Sequence, residues 1–140
     1  TSRKNAVMEE AVSCWIKMAE RREYEALVRD MFEKMYSEAY LKKYRRLIPV
    51  LTKIGKPKDF SRFIALAKAC LTCDSYSELH KITCPVFVIG GKQDRVVTGA
   101  ASEEIAAELG CKIYMYDTLG HAAYEEAPDY NQRIDQFLNE

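Results

Sequence analysis

Two residues in the second half of this 140-residue chain have the types and settings that acid–base chemistry needs, Asp94 and His121. Asp94 closes the turn Gly90-Gly91-Lys92-Gln93-Asp94 behind an apolar run, and His121 closes Asp117-Thr118-Leu119-Gly120-His121 behind another. A carboxylate that accepts the Nδ1 proton of an imidazole fixes its tautomer and stabilises the imidazolium. Nε2 can then take a proton from a hydroxyl nucleophile. Because imidazole ordinarily titrates near neutrality, the same group can return that proton. The two residues lie 27 positions apart, 121 against 94, so the fold has to bring them together.

The elements that would do so can be read from hydrophobic period. Cys84-Pro85-Val86-Phe87-Val88-Ile89-Gly90 is a short, continuous apolar run rich in β-branched residues, the pattern of a strand buried on both faces of a parallel sheet. Residues 100–109 read as a helix ended by Gly110, and Cys111-Lys112-Ile113-Tyr114-Met115-Tyr116 as a second strand. Pro128 opens a last helix carrying Ile134, Phe137 and Leu138 on one side. Strand, helix, strand, helix is the order of a right-handed parallel unit at the edge of an α/β sheet. Both turns then leave the carboxyl edge of the sheet, where reacting groups collect in such folds.

The first half is different. Met8, Ala11, Val12, Trp15, Ile16 and Ala19 fall at helical spacing, as do Tyr24, Leu27, Val28, Met31, Phe32, Met35, Tyr36, Ala39 and Tyr40. A third set, Tyr40, Tyr44, Leu47, Ile48 and Leu51, runs to the breaker Gly55-Lys56-Pro57. Asp59 or a neighbour then caps a helix facing inward through Phe60, Phe63, Ile64, Ala67 and Leu71. The expectation is helix throughout residues 1 to about 75 and a boundary within residues 73–82.

The run from Ile82 to Asp94 resembles the penultimate strand and acid loop of α/β hydrolases, with a Cys-Pro start, an apolar strand, glycine and then Asp. Gly120-His121, followed by Glu126, Pro128 and an amphipathic helix, is similar to that family's histidine loop and last helix. The resemblance implies Asp94 as triad acid and His121 as general base. It implies an α/β fold in which residues 1–79 are a helical cap-like region and residues 80–140 the C-terminal part of the core. It also implies hydrolysis of a small ester, lactone or related acyl substrate with no cofactor. Thr98-Gly99 stands where the family has a proline after the acid, which predicts a looser acid loop. No Gly-x-Ser-x-Gly elbow and no His-Gly pair for an oxyanion hole occur in the chain. Ser61, Ser75, Ser77 and Ser102 lack the glycine setting of a nucleophile, so the chain resembles a hydrolase without its N-terminal half and is expected to be inactive alone. Two other readings remain open. One is a hydrolase-like binding or interaction module without chemistry, and the other a dehalogenase- or epoxide-hydrolase-like enzyme with aspartate on the elbow.

Composition excludes other classes. Lys/Arg and Asp/Glu balance at 21 each, so the whole chain offers no footprint for nucleic acid or an acidic membrane. Residues 1–80 hold 16 basic against 11 acidic side chains and residues 81–140 hold 5 against 10, spread along helix faces. Five irregularly spaced cysteines with no apolar leader point to a reducing, cytoplasmic setting. Cys70-Leu71-Thr72-Cys73 lacks a second ligand pair and ends a helix, so neither zinc nor redox work is assigned to it. Cys84 and Cys111 are expected as core thiols, His80 as an ordinary boundary residue, and the Tyr24, Met31, Phe32, Met35, Tyr36 stripe as core. Two strands are few for such a sheet, and the uncovered edge or exposed cap helices predict a homo-oligomer.

Overall fold

The computed structural model describes residues 1–55 and 57–140; a helix ends at Ile54, at the breaker Gly55-Lys56-Pro57 as expected, while Lys56 itself and the inward face expected for Leu51 lie outside the described residues. Helix α1 (Ala6–Glu20) starts at Asn5, whose side-chain oxygen accepts the Met8 amide at 2.9 Å and whose amide group donates to the Val97 carbonyl at 2.7 Å. One residue thus begins the helix and ties it to the acid loop. The six residues expected on its inner face are the six that are buried. They form the main core with Leu27, Phe60, Ala67 and Val96.

Helix α2 (Tyr24–Met35) is shorter than its apolar stripe. Tyr36 is extended at φ −101° and ψ 157°, and Ser37 caps a new helix, α3 (Glu38–Tyr44), through its hydroxyl oxygen and the Tyr40 amide. The expectation of one helix through Tyr40 is corrected here, because a serine N-cap competes with helix continuation. A 3₁₀ turn (Arg45–Leu47) and α4 (Ile48–Ile54) follow. Pro49 has no N–H and sits in the first turn of α4, which splits the single helix expected between Tyr40 and Leu51. Helix α5 (Ser61–Thr72) packs on α1; its cap residue is Phe60, which makes no side-chain capping bond, and Asp59 stands one residue earlier and accepts the Ser61 amide at 2.9 Å instead of capping the helix.

The chain then returns beside its start. The Ser75 amide donates to the Ser2 carbonyl at 2.7 Å, and Arg3 and Asp74 form an antiparallel bridge. Strand β1 (Phe87–Gly91) lies parallel to β2 (Lys112–Tyr116), in register from Phe87 opposite Lys112 to Gly91 opposite Tyr116. Helix α6 (Gly99–Leu109) connects them and ends at Gly110, which takes φ +57°. A short α7 (Ala123–Glu126) and α8 (Tyr130–Leu138) complete the chain.

Three details of this half differ from expectation. Strand β1 begins at Phe87, with Cys84 and Pro85 exposed, so Cys84 is not a core thiol, and Cys111 is half-buried. Among the described residues β1 is paired on one side only, and its side chains are half-buried instead of buried on both faces. Pro128 lies in the turn before α8, whose cap residue is Asp129. The architecture is therefore a helical segment followed by two parallel strands and their helices.

Candidate active site

Both functional loops leave the same edge of the sheet and are joined by main-chain hydrogen bonds. The Lys92 amide donates to the Tyr116 carbonyl at 2.9 Å and the Gln93 amide to the Leu119 carbonyl at 3.0 Å. This close pairing depends on Gly91. A Cβ there would stand 2.3 Å from the Gly120 oxygen and 2.4 Å from the Leu119 oxygen, both backbone atoms that cannot swing aside.

Asp94 and His121 meet as the strand order requires, with His121 Nδ1 2.9 Å from Asp94 Oδ2. The other carboxylate oxygen accepts the Val96 and Val97 amides at 2.7 and 2.9 Å. Only 9% of the Asp94 side chain is exposed, against 34% of His121, so the carboxylate is enclosed and the imidazole reaches open space. Burial pushes the Asp94 carboxyl up. The His121 hydrogen bond, the Val97 and Val96 amides and the histidine charge outweigh it and hold the group below the usual carboxylate range. Asp94 is therefore an anion at neutral pH, able to orient the imidazole and to stabilise its charged form.

The acid loop is not loose despite Thr98-Gly99. Val96 is buried in the α1 core, the Val97 carbonyl is held by Asn5, and the carboxylate closes the loop on itself. Thr98 carries the conformational cost, at φ 70° where a residue other than glycine is strained. Gly99 follows because a Cβ there would meet the Lys92 α-carbon at 2.9 Å.

The histidine loop is held from the helical segment. The Ala122 amide donates to the Met35 carbonyl at 2.9 Å, and a Cβ on Gly120 would stand 2.8 Å from that same oxygen. Glu126 accepts the Ser37 amide at 2.9 Å and the Ser37 hydroxyl. Tyr36 donates its hydroxyl to Glu125, and burial followed by this bond pushes the phenol well above its ordinary range. The α2–α3 break is thus the seat of the histidine loop. Its role was missed in the sequence, where Ser37 ahead of Glu38 was the one available signal.

His121 borders a cavity of about 360 Å³ whose other walls include Met8, Val12 and Trp15 of α1 and Val96 and Val97 of the acid loop. A 540 Å³ depression beside Arg22, Tyr24, Thr52 and Lys53 contains neither Asp94 nor His121. The aromatic and methionine stripe does not line the cavity. Tyr24, Met31 and Met35 pack on the main core, while Phe32 and Tyr36 belong to a second cluster around Leu41 and Ala122. His80 is exposed. Ser61 bonds to Asp59 and Ser75 to the Ser2 carbonyl, and among the described residues no serine hydroxyl bonds His121. No group of three or more His, Cys, Asp or Glu among the described residues is placed to hold a metal ion.

No family model matches the chain. It is 29% identical over 73 residues to monoacylglycerol lipase abhd6-B of Xenopus laevis, a match over 51% of this chain and 22% of that protein. An α/β hydrolase from a Medee basin deep-sea metagenome library superposes with a TM-score of 0.89 at 17% identity, over 99% of this chain and 53% of that one. The enol-lactonase of Burkholderia xenovorans superposes at 0.79 and 20% identity, over 94% of this chain and 51% of its own. An esterase of Exiguobacterium antarcticum does so at 0.76 and 16%, over 94% and 48%. The chain spans about half the length of these solved structures and about a fifth of the curated relative. Its fold is that of the helical cap and the last two strands and helices of an α/β hydrolase.

Proposed function

We propose that this α/β-hydrolase-fold chain supplies the acid and the base of a nucleophile–His–Asp triad, Asp94 as acid and His121 as base, for hydrolysis of a small ester, lactone or related acyl substrate. The observation that carries the reading is the 2.9 Å contact between His121 Nδ1 and Asp94 Oδ2 beside an apolar cavity that His121 itself borders. With Nδ1 engaged, Nε2 is the atom free to take the proton of an attacking hydroxyl and pass it to the leaving group. The acyl part of the substrate would lie against Val12, Trp15 and Val96, with residues 1–79 as the cap and residues 80–140 as the core that carries the pair. The esterase, enol-lactonase and lipase among the similar proteins support this class of reaction.

Among the described residues no hydroxyl is bonded to His121, so the 140 residues by themselves should not turn over aryl esters. Turnover abolished by His121→Ala would overturn that. In a protein that joins this chain to a nucleophile-bearing half, Asp94→Asn should lower kcat by about 10⁴-fold, the loss seen when a triad imidazole is left in the wrong tautomer. A loss of under tenfold would remove Asp94 from the triad.

The free side of β1 supports a second proposal, that copies of this chain pair across that edge in a reducing, cytoplasmic setting. Light scattering at high concentration tests it, and a monomer there counts against it. No helix among the described residues is long and apolar enough to cross a membrane.

A further inference from the structure

The C-x-x-C pair that the sequence left without a role sits in the wall of the same cavity. Cys70 belongs to the last turn of α5, and Cys73 ends that helix with its amide still donating to the Ala69 carbonyl at 3.0 Å. Both thiols are free and both residues are exposed. Residues i and i+3 of a helical turn place their α-carbons about 5 Å apart. A disulfide spans roughly 4.4–6.8 Å between α-carbons, so the pair is within bridging range once the end of α5 tightens to bring the β-carbons together. Cys70 and Cys73 both line the 360 Å³ cavity that His121 and Trp15 also line, so the two side chains face one space. Zinc is a poorer occupant, since no third ligand joins them among the described residues.

We propose that Cys70 and Cys73 form a redox modification site in the wall of the His121 cavity, with a low-molecular-weight disulfide of the glutathione type as oxidant. The thiolate of one cysteine attacks a sulfur of the reagent, forming a mixed disulfide and releasing one reagent thiolate. The thiolate of the other attacks the protein sulfur of that mixed disulfide, forming the Cys70–Cys73 bond and releasing the second. Two electrons pass from the cysteine pair to the reagent, and the two cysteine protons end on the two released thiols. Bridging draws the sulfurs to about 2.05 Å of each other, which pulls the end of α5 together and reshapes the wall beside His121. This chemistry does not depend on Asp94 and His121 being catalytic.

The chain carries its own probe, because Trp15 is its one tryptophan and lines the cavity. The purified chain is treated with oxidised glutathione, unfolded, titrated for thiols and mapped by mass spectrometry, with tryptophan emission followed before unfolding. The expected result is a fall from five thiols to three. The peptide containing Cys70 and Cys73 should lose two hydrogens, and a disulfide-quenched Trp15 emission should recover with dithiothreitol. Cys70→Ser, a substitution at an exposed position, should stop at a glutathione adduct on Cys73, seen as one glutathione added to that peptide and no internal bridge. A stable adduct in the unsubstituted chain with no internal bridge would overturn the proposal. A bridge using Cys14, Cys84 or Cys111 would do the same. An internal bridge that leaves Trp15 emission unchanged would remove the pair from the cavity wall.

Discussion

The acid loop and the histidine loop leave the same sheet edge and end on each other, yet they are held in opposite ways. Asp94 fixes its own loop, since its carboxylate takes the amides two and three residues on, and Val96 buries itself in the α1 core. The His121 side chain bonds across to Asp94 instead of to its own loop. The flanking residues Gly120 and Ala122 rest on the Met35 carbonyl, and Glu126 holds Ser37. Asp94 is therefore set by local chain geometry, and the His121 loop by the helical segment nearly ninety residues earlier. The helical segment thus both walls the cavity, through α1 and the end of α5, and holds the His121 loop, through the α2–α3 break.

That comparison can be broken most sharply at the contact the two loops share. Gly91→Ala puts a Cβ against two backbone oxygens, and we expect it to cost about 3 kcal/mol or more in urea unfolding. A cost under about 1 kcal/mol would mean the loops are not closed on each other.

Glu126→Ala tests the histidine side alone. It leaves the buried Ser37 amide and hydroxyl without their anionic acceptor, at an expected cost of about 2 kcal/mol. In an NMR spectrum the His121 ring resonances should shift while the Val96 and Val97 amides stay in place. Equal movement of both sets would show that the two loops are not held independently.

The acid side is tested by pH. Because the folded Asp94 carboxyl is held below its ordinary range, its contribution to stability is fully present above the unfolded value of about 3.9 and is lost as pH falls through the lower folded value. The urea midpoint of the parent chain should therefore fall on acidification below about pH 4 by more than that of Asp94→Asn. Parallel curves would mean that the amides and the histidine do not stabilise the charged carboxylate. The effect should be the smallest of the three, because burial opposes it.

Where the sequence was legible, the determining interactions were local. The α1 face follows from six apolar residues at one period, the end of α6 from Gly110, and the meeting of Asp94 with His121 from two strands joined by one helix. The α2–α3 break was not legible. The apolar stripe runs through it, and what stabilises the break is a carboxylate at Glu126, far along the chain. Cys84 was misread for a related reason, since the start of β1 depends on which residues find a partner in β2 and not on apolar content. The place of Cys70 and Cys73 needed the packing of α5 on α1, which periodicity describes for each helix separately.

The bond from Ser75 to Ser2, with the neighbouring Arg3–Asp74 bridge, has a bearing on how such a protein can be remodelled. Everything from Lys4 to Cys73 departs and returns through one narrow neck, so in connectivity the helices behave like a single turn between adjacent residues. A segment mounted in this way can be lengthened, shortened or exchanged without rethreading the sheet, because the distance to be spanned stays fixed while closure entropy grows only slowly with length. Such a neck leaves lineages free to vary what roofs the cavity while the strands beneath it stay in place. Any replacement must still supply a carbonyl and a hydroxyl where Met35 and Ser37 now stand, and a donor and an apolar face where Asn5 and α1 hold Val97 and Val96.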